Sequence, residues 1–254
     1  MNYSQDGQGP VVVLSHALAL DRRMWDQVTT ALARSYTVVR YEHRGHGRGA
    51  VSKGPFTIDD LADDAAALIR QVSSEPVVFA GLSLGGMVGQ ALAARHPSLL
   101  RGLSVINSAA HYADRTLWDT RIRAVQATGM AAVADGSLDR WLTPPFRDSP
   151  VGKTIAEDLR ATLLQTDPAA YVHSCEAIAA MDLRAGNRSI TTPTLVVAGR
   201  LDLATPPALS QAIAADIRAA RLVEVDAAHI SAAECPEALA AELREWMRTL
   251  PVAA

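Results

Sequence analysis

Short apolar runs rich in β-branched residues recur along the chain, and each is bounded by glycine, proline or polar residues. They are Val11–Ser15, Thr37–Tyr41, Pro76–Ala80, Leu103–Asn107, Thr194–Ala198 and Leu222–Val225. The first, third and fifth are almost continuously apolar, which is typical of strands buried on both faces of a parallel sheet. The pattern therefore predicts a mostly buried parallel sheet.

Helical periodicity fills most of the gaps between these runs. Apolar residues return at three- and four-residue intervals in Met24–Arg34, Thr57–Val72 and Leu84–Arg95, and Pro236–Leu250 opens with a proline suited to a first helical turn. Strands that alternate with helices predict an α/β protein with a doubly wound sheet.

The alternation stops between about His111 and Ser189. Helical patterns without a convincing strand cover Arg115–Thr128, Met130–Trp141, Val151–Gln165 and Pro168–Met181. We interpret residues 111–189 as a helical lid inserted into a core made of residues 1–110 and 190–254. The alternative is a group of helices that only packs on the edge of the sheet.

Composition and charge narrow the class of protein. The chain has 254 residues, of which 49% are hydrophobic and 20% charged, as in a globular protein. Its formal net charge is -3 and it lacks a basic stripe, so we expect no nucleic-acid partner. Neither of the two cysteines has metal-ligand spacing, the N-terminus lacks a signal-peptide pattern, and no apolar run could span a bilayer. We expect a cytoplasmic monomer or homodimer with no cofactor, no metal and no membrane contact.

The segment Gly81-Leu82-Ser83-Leu84-Gly85 carries the chemistry, because it follows an apolar strand and opens a helix. A turn this tight strains its central residue and leaves no room for side chains at the flanking glycines. It raises the serine hydroxyl above the sheet at the positive end of the helix. We predict Ser83 as a nucleophile and the backbone N–H of Leu84 as an oxyanion donor.

A serine nucleophile needs a base, and with this turn the partners follow in the order serine, acid, histidine. Asp202 and His229 each come just after a predicted strand and in that order. Asp226 is the rival acid, although it lies so close to His229 that we expect it to shape the loop instead. The loop after the first strand offers the second oxyanion donor, the backbone N–H of Leu18. For His16 in that loop we favour a structural role over a catalytic one.

These segments resemble the 3-oxoadipate enol-lactone hydrolases of the α/β-hydrolase superfamily. The similar stretches are residues 15–25, 41–47, 81–92, 118–122, 140–147, 204–207 and 226–231. The sheet motifs are shared across the superfamily, so only the lid segments point to the lactonase branch. The chain departs from that pattern at Ala19, where glycine is expected, in a short segment after Gly47, and in one missing leading strand.

The resemblance implies a small anionic enol-lactone substrate from aromatic-compound breakdown, hydrolysed to 3-oxoadipate. Ser83 would form an acyl-enzyme, His229 would shuttle the proton and Asp202 would orient the imidazole. An anionic substrate needs a cation, for which the lid arginines Arg121, Arg140 and Arg147 are candidates. Two lid tryptophans, Trp118 and Trp141, either wall the pocket or fill the lid core.

Two other functions stay open at this stage. The same three residues would serve a general carboxylesterase or a cofactor-free perhydrolase. A protein of another class, a ligand receptor that does not turn its ligand over, would keep the pocket without the chemistry.

Overall fold

The centre of the protein is a single twisted sheet, seen here in a computed structural model that describes residues 1–51, 54–218 and 220–251. The sequence ends in Val-Ala-Ala at residues 252–254, for which we expect fraying, and these residues lie outside the described ones. The sheet has seven strands within the described residues: β1 (Tyr3–Asp6), β2 (Val11–Ser15), β3 (Thr37–Tyr41), β4 (Val77–Leu82), β5 (Leu100–Ile106), β6 (Thr194–Gly199) and β7 (Ala220–Val225). Their order is β1-β3-β2-β4-β5-β6-β7.

Burial follows the apolar runs of the sequence. Every residue of β4 and of β6 is buried, as their continuous apolar character predicts. Neighbouring strands from β3 through to β7 pair in parallel. The carboxyl ends of β4, β6 and β7 therefore open on the same edge, where the three predicted catalytic residues follow them.

The sequence reading missed strand β1, which pairs antiparallel with β3 at the edge of the sheet. Its residues, Tyr-Ser-Gln-Asp, are mostly half-exposed. An edge strand gains its backbone hydrogen bonds from one neighbour and buries little apolar surface, so it leaves no hydrophobic alternation in the sequence.

In the part of the chain that the structure describes, three α-helices precede the insertion: α1 (Asp26–Leu32), entered through a 3-10 turn at Arg22–Trp25, then α2 (Ile58–Val72) and α3 (Leu84–Arg95). Helix α3 packs on β4 and β5 and against α2. It is buried on nearly all sides over its first ten residues, which explains why it carries several glycines and alanines instead of a polar face.

The insertion lies between β5 and β6 and consists of helices. In the described part of the chain they are α4 (Thr116–Thr128), α5 (Ala131–Trp141), α6 (Pro144–Asp148), α7 (Pro150–Gln165), α8 (Pro168–Ala180) and α9 (Arg184–Asn187). A proline occupies the first turn of α6, α7 and α8, where its fixed φ suits a helix start. An isolated antiparallel bridge between His111 and Asp182 joins the two ends of the insertion.

The chain closes with α10 (Pro207–Asp216), α11 (Ser231–Glu234) and α12 (Pro236–Thr249). The sequence reading missed α10, which covers β6 and β7. Few of its residues are fully buried, so the apolar stripe that marks a helix in sequence is weak there. Helix α12 packs against α1. Among the described residues, none of these helices has the length and apolar character needed to cross a membrane.

Helix α2 begins with a reciprocal cap that can be tested on its own. The Thr57 hydroxyl accepts from the Asp60 N–H at 3.1 Å, and the Asp60 carboxylate accepts from the Thr57 N–H at 2.7 Å. Thr57→Ala removes the cap, so we expect the free energy of unfolding to fall by about 1 kcal/mol in chemical denaturation. Thr30→Ala replaces another exposed threonine, on α1, and is the control. It should change the free energy of unfolding by only a few tenths of the loss expected for Thr57→Ala. Equal losses for the two variants would contradict the role given to the cap.

Candidate active site

Ser83 lies at the turn between β4 and α3 with its backbone in a left-handed conformation, at φ 57 and ψ -115. A side-chain-bearing residue rarely adopts such a conformation, and it persists only where the surroundings enforce it. Here the Ser83 N–H donates to the Ile106 carbonyl at 2.9 Å, and the Ser108 hydroxyl donates to the Ser83 carbonyl at 2.8 Å. The end of β5 therefore holds this turn from both sides.

The two glycines of the motif are required by space. A Cβ on Gly81 would lie 2.0 Å from the Gly85 carbonyl oxygen, and a Cβ on Gly85 would lie 2.3 Å from the Ser15 carbonyl oxygen. Both neighbours are backbone atoms that cannot swing aside. The turn can pass this close to β2 and to the start of α3 only with glycine at both positions.

Asp202 and His229 are joined by a buried hydrogen bond. The distance from His229 Nδ1 to Asp202 Oδ2 is 2.8 Å, and the two side chains are almost completely buried. The other carboxylate oxygen, Asp202 Oδ1, accepts the N–H groups of Ala204 and Thr205, both at 2.8 Å. Burial alone would raise the pKa of Asp202, but His229 and the hydrogen bonds from Thr205 outweigh it and hold that pKa below its ordinary value. The carboxylate is thus ionised at neutral pH, as an orienting partner of histidine must be.

Thr205 is a site residue that the sequence reading missed. Its hydroxyl donates to Asp202 Oδ2 at 2.7 Å and lies 3.2 Å from His229 Nδ1. The available signal was its position three residues after an aspartate in a loop, where hydroxyl and backbone groups often cap the carboxylate. The rival acid Asp226 is instead exposed and forms an ion pair with Arg200.

The loop after β2 brings a second backbone donor to the site. Leu18 and Ala19 line the same cavity as Ser83, and Ala19 has a φ of 62, which explains why glycine is the expected residue there. Among the described residues, neither the Leu18 N–H nor the Leu84 N–H has a backbone hydrogen-bond acceptor. Neither amide is therefore bound to a backbone carbonyl of the described chain, as an oxyanion donor requires.

His16 anchors this loop and does not line the cavity. Its Nε2 accepts from the His43 backbone N–H at 3.0 Å, so Nδ1 carries the proton and donates to the Ala17 carbonyl at 2.8 Å. Burial lowers the pKa of His16 to about 3, and burial also lowers the pKa values of the neighbouring His43 and His46. The three imidazoles are neutral structural groups behind the loop.

Helices of the insertion roof the cavity that contains Ser83 and His229. Its walls include Trp118 and Arg121 of α4, Arg140 and Trp141 of α5, and Tyr171 of α8. All four pocket residues predicted from the sequence therefore lie at one cavity, which Tyr171 and Tyr112 complete without having been predicted. The enclosed volume is about 60 Å³, room for a few water molecules.

Two arginines line this cavity without a carboxylate partner in the described part of the chain. Among the described residues, neither Arg121 nor Arg140 forms a salt bridge, and Arg121 stacks over the Trp118 ring at 5.3 Å. Burial, and then the charge of Arg121, lower the pKa of Arg140. The third candidate, Arg147, pairs with Asp139 and does not line the cavity. The cavity thus carries uncompensated positive charge, which an anion would balance.

The insertion is tied to the chain on both sides of His229. The Ile230 N–H donates to the Trp141 carbonyl at 2.9 Å. The Glu234 carboxylate accepts the Ala228 N–H at 2.9 Å and also binds the backbone and hydroxyl of Thr143. These contacts fix the end of α5, and with it Arg140, beside the histidine. Over the described residues, no cluster of histidine, cysteine, aspartate or glutamate has the form of a metal site.

Comparison with known proteins agrees with this geometry. A model of the alpha/beta hydrolase family matches residues 12–242. The chain belongs to this family. It is 34% identical to 3-oxoadipate enol-lactonase 2 of Acinetobacter baylyi, over 94% of this chain and 89% of the relative.

Two solved structures of the family are also similar to it. The enol-lactonase from Burkholderia xenovorans LB400 superposes with a TM-score of 0.93 at 36% identity, covering 97% of this hydrolase and 96% of that chain. A thermophilic esterase from Thermogutta terrifontis, solved with malate bound, has a TM-score of 0.90 at 28% identity, covering 97% and 92%. The predicted fold and the resemblance to enol-lactonases are thereby confirmed.

The buried histidines His16, His43 and His46, behind the loop that contains Leu18 and Ala19, predict that the fold is less stable in acid. A histidine whose pKa is lowered on folding binds a proton more readily in the unfolded chain, so stability is lost as the pH falls below about 6.5. His46→Asn keeps a donor for the Arg44 carbonyl, which His46 Nδ1 contacts at 2.9 Å, and removes one such group. Between pH 6 and pH 5, the slope of the unfolding free energy against pH should flatten by up to about 1.4 kcal/mol per pH unit. Thr57→Ala removes no titratable group and should keep the wild-type slope, and an unchanged slope in His46→Asn would refute the assignment.

Proposed function

We propose that this protein is a serine hydrolase that opens a small lactone carrying a free carboxylate, and that its substrate is 3-oxoadipate enol-lactone. The observation that carries the proposal is that Arg121 and Arg140 line the cavity containing Ser83 and His229 and form no salt bridge within the described part of the chain. A neutral ester gives no reason for two half-buried cations to line one cavity without a carboxylate. A substrate with a carboxylate does.

The proposed reaction begins when Ser83 Oγ attacks the lactone carbonyl and His229 takes the hydroxyl proton. The backbone N–H groups of Leu18 and Leu84 stabilise the oxyanion. The ring C–O bond breaks, and the enol oxygen receives the proton from His229 while the acyl group stays on Ser83. Water then attacks the acyl-enzyme with His229 as base, which releases Ser83, and the enol product tautomerises to 3-oxoadipate.

In these reaction steps Asp202 holds His229 in one tautomer. Its hydrogen bond to Nδ1 leaves Nε2 as the nitrogen that exchanges a proton with Ser83 and with the leaving oxygen. The ionised carboxylate also stabilises the imidazolium that forms at each step. Thr205 keeps the carboxylate in place through its hydroxyl and its backbone N–H.

The named relatives support the lactone as substrate, because an enol-lactonase is among the similar sequences and another among the similar structures. We also propose that residues 111–189 act as a lid on the core, because helices α4, α5 and α8 of this insertion supply walls of the cavity that contains Ser83. The proposal further places the enzyme in aromatic-compound catabolism through the β-ketoadipate pathway, in the cytoplasm, and without a cofactor.

A simple ester hydrolase is the second candidate. Leu117 and Leu203 line the cavity yet are 47% and 69% exposed, so they form an apolar rim where the alcohol part of an ester could lie. The similar structure of an esterase supports the same alternative. A substrate comparison separates the two.

The purified protein should hydrolyse 3-oxoadipate enol-lactone with a higher kcat/KM than p-nitrophenyl acetate. Ser83→Ala should lower both activities by a factor on the order of 10⁴ or more, because the nucleophile is removed. Lactone opening is followed by ultraviolet absorbance and ester hydrolysis by the visible absorbance of p-nitrophenolate. Faster turnover of the simple ester favours the esterase, and peracid formation from acetate and hydrogen peroxide favours a perhydrolase. Tight binding of the lactone without turnover would favour a receptor.

The arginines make a sharper test of substrate charge. Arg140→Met and Arg121→Met should each raise KM for the anionic lactone about 10- to 100-fold, because a charged hydrogen bond is lost. Neither variant should change KM for p-nitrophenyl acetate by more than a small factor. Arg123→Met, an exposed arginine on the same helix as Arg121, is the matched control and should leave both constants unchanged. Equal losses on the lactone and the neutral ester would refute a carboxylate-binding role.

A further inference from the structure

We infer that Asn107 is a positioning residue that holds the loop carrying His229 against the strand that leads to Asp202; the inference rests on the function proposed above. Asn107 follows the last residue of β5 and is completely buried. Strand β5 lies between β4 and β6, so its end is next to both the serine turn and the start of the Asp202 loop.

The side chain of Asn107 uses both of its ends. Its Nδ2 donates to the His229 carbonyl at 2.6 Å and also lies within hydrogen-bond distance of the Ala228 carbonyl at 3.2 Å and of Ser231 Oγ at 3.1 Å. Its Oδ1 accepts the Gly199 N–H at 2.7 Å. One buried amide thus joins the backbone of the histidine residue itself to the last residue of β6.

The backbone of Asn107 also bonds to strand β6. Its φ is 46, in the left-handed region, and its N–H donates to the Val197 carbonyl of β6 at 2.9 Å. Asparagine tolerates this conformation better than most residues, yet it is still less favourable than an ordinary strand end. The turn aims the amide across β6 towards the histidine loop, which a regular continuation of β5 would not do.

This connection complements the other links between the two loops. Backbone hydrogen bonds from Arg200 and Leu201 reach Val225 and Ala227, so they join the bases of the loops and stop short of His229. Beyond them, the imidazole is held by Asp202 and the His229 carbonyl by Asn107. Fixing the histidine at both its backbone and its ring sets where Nε2 stands relative to Ser83.

The residue after Asn107, Ser108, makes a similar contact with the turn that carries Ser83. The Ser108 hydroxyl donates to the Ser83 carbonyl at 2.8 Å. Two consecutive residues at the end of β5 therefore contact the backbone of the serine turn, of the histidine loop and of the strand before Asp202. Because displacements of about 1 Å can cost on the order of 100-fold in rate, a shared anchor of this kind matters for kcat more than for substrate affinity.

Asn107→Gly is the informative variant, because glycine accepts the positive φ and removes only the side-chain hydrogen bonds. We expect kcat for p-nitrophenyl acetate to fall on the order of 10- to 100-fold with KM nearly unchanged. Asn107→Asp keeps an acceptor for Gly199 and places a carboxylate oxygen against two carbonyls, so it should lose at least as much. Asn187→Ala removes another fully buried asparagine, bonded to Gln90 at 2.8 Å, and should keep kcat within about twofold while costing comparable stability.

A second readout does not depend on turnover. The His229 Nδ1 proton, held by Asp202, should give a low-field resonance in the proton NMR spectrum of the wild type and of Asn187→Ala, and that resonance should broaden or vanish in Asn107→Gly. Wild-type kcat together with a retained resonance in Asn107→Gly would overturn the inference. A wild type that shows the resonance but hydrolyses neither the ester nor the lactone would refute the proposed function alone, and the resonance in Asn107→Gly would still decide the role of Asn107. A wild type without the resonance and without either activity would refute both.

Discussion

The left-handed backbone of Ser83 is the constraint on which the rest of the site depends. In this conformation β4 turns directly into α3, and glycine is needed at 81 and 85 because backbone atoms occupy the space that their side chains would fill. The unfavourable conformation is maintained by the parallel sheet on either side of β4 and by the hydrogen bonds from the end of β5. This conformation places Ser83 at the start of α3, next to the Leu84 N–H, which has no backbone acceptor among the described residues.

Electrostatics divides the site into two regions with opposite requirements. Behind the loop that contains Leu18 and Ala19, His16, His43 and His46 are buried and neutral. Their hydrogen bonds hold this loop in place without adding charge. In front of Ser83, Arg121 and Arg140 keep their charge without a partner in the described structure, which is unfavourable until an anion arrives. The proposed specificity comes from this second region.

The sequence predicted much of this, and the misses have physical reasons. Strands buried on both faces have continuous apolar sequences, so they can be predicted from local sequence. The serine turn can be predicted in the same way, because its glycines flank the serine within five residues. Strand β1 and helix α10 bury too little apolar surface to leave a pattern. Asn107 contacts residues that are distant in the sequence, and Thr205 reaches Asp202 through the conformation of its loop, so nothing in the periodicity of the chain marks either of them. Arg147 was a wrong candidate because its partner, Asp139, lies on the preceding helix and could not be assigned from spacing.

The central claim is that Ser83 is an activated nucleophile, and covalent labelling measures this most directly. A fluorophosphonate reacts with a serine only where a base and an oxyanion site assist it. The account predicts that one equivalent adds to the wild type, that peptide mass spectrometry finds the adduct on Ser83, and that His229→Ala reacts far more slowly. A wild-type protein that stays unmodified, or one labelled at another serine, would contradict it.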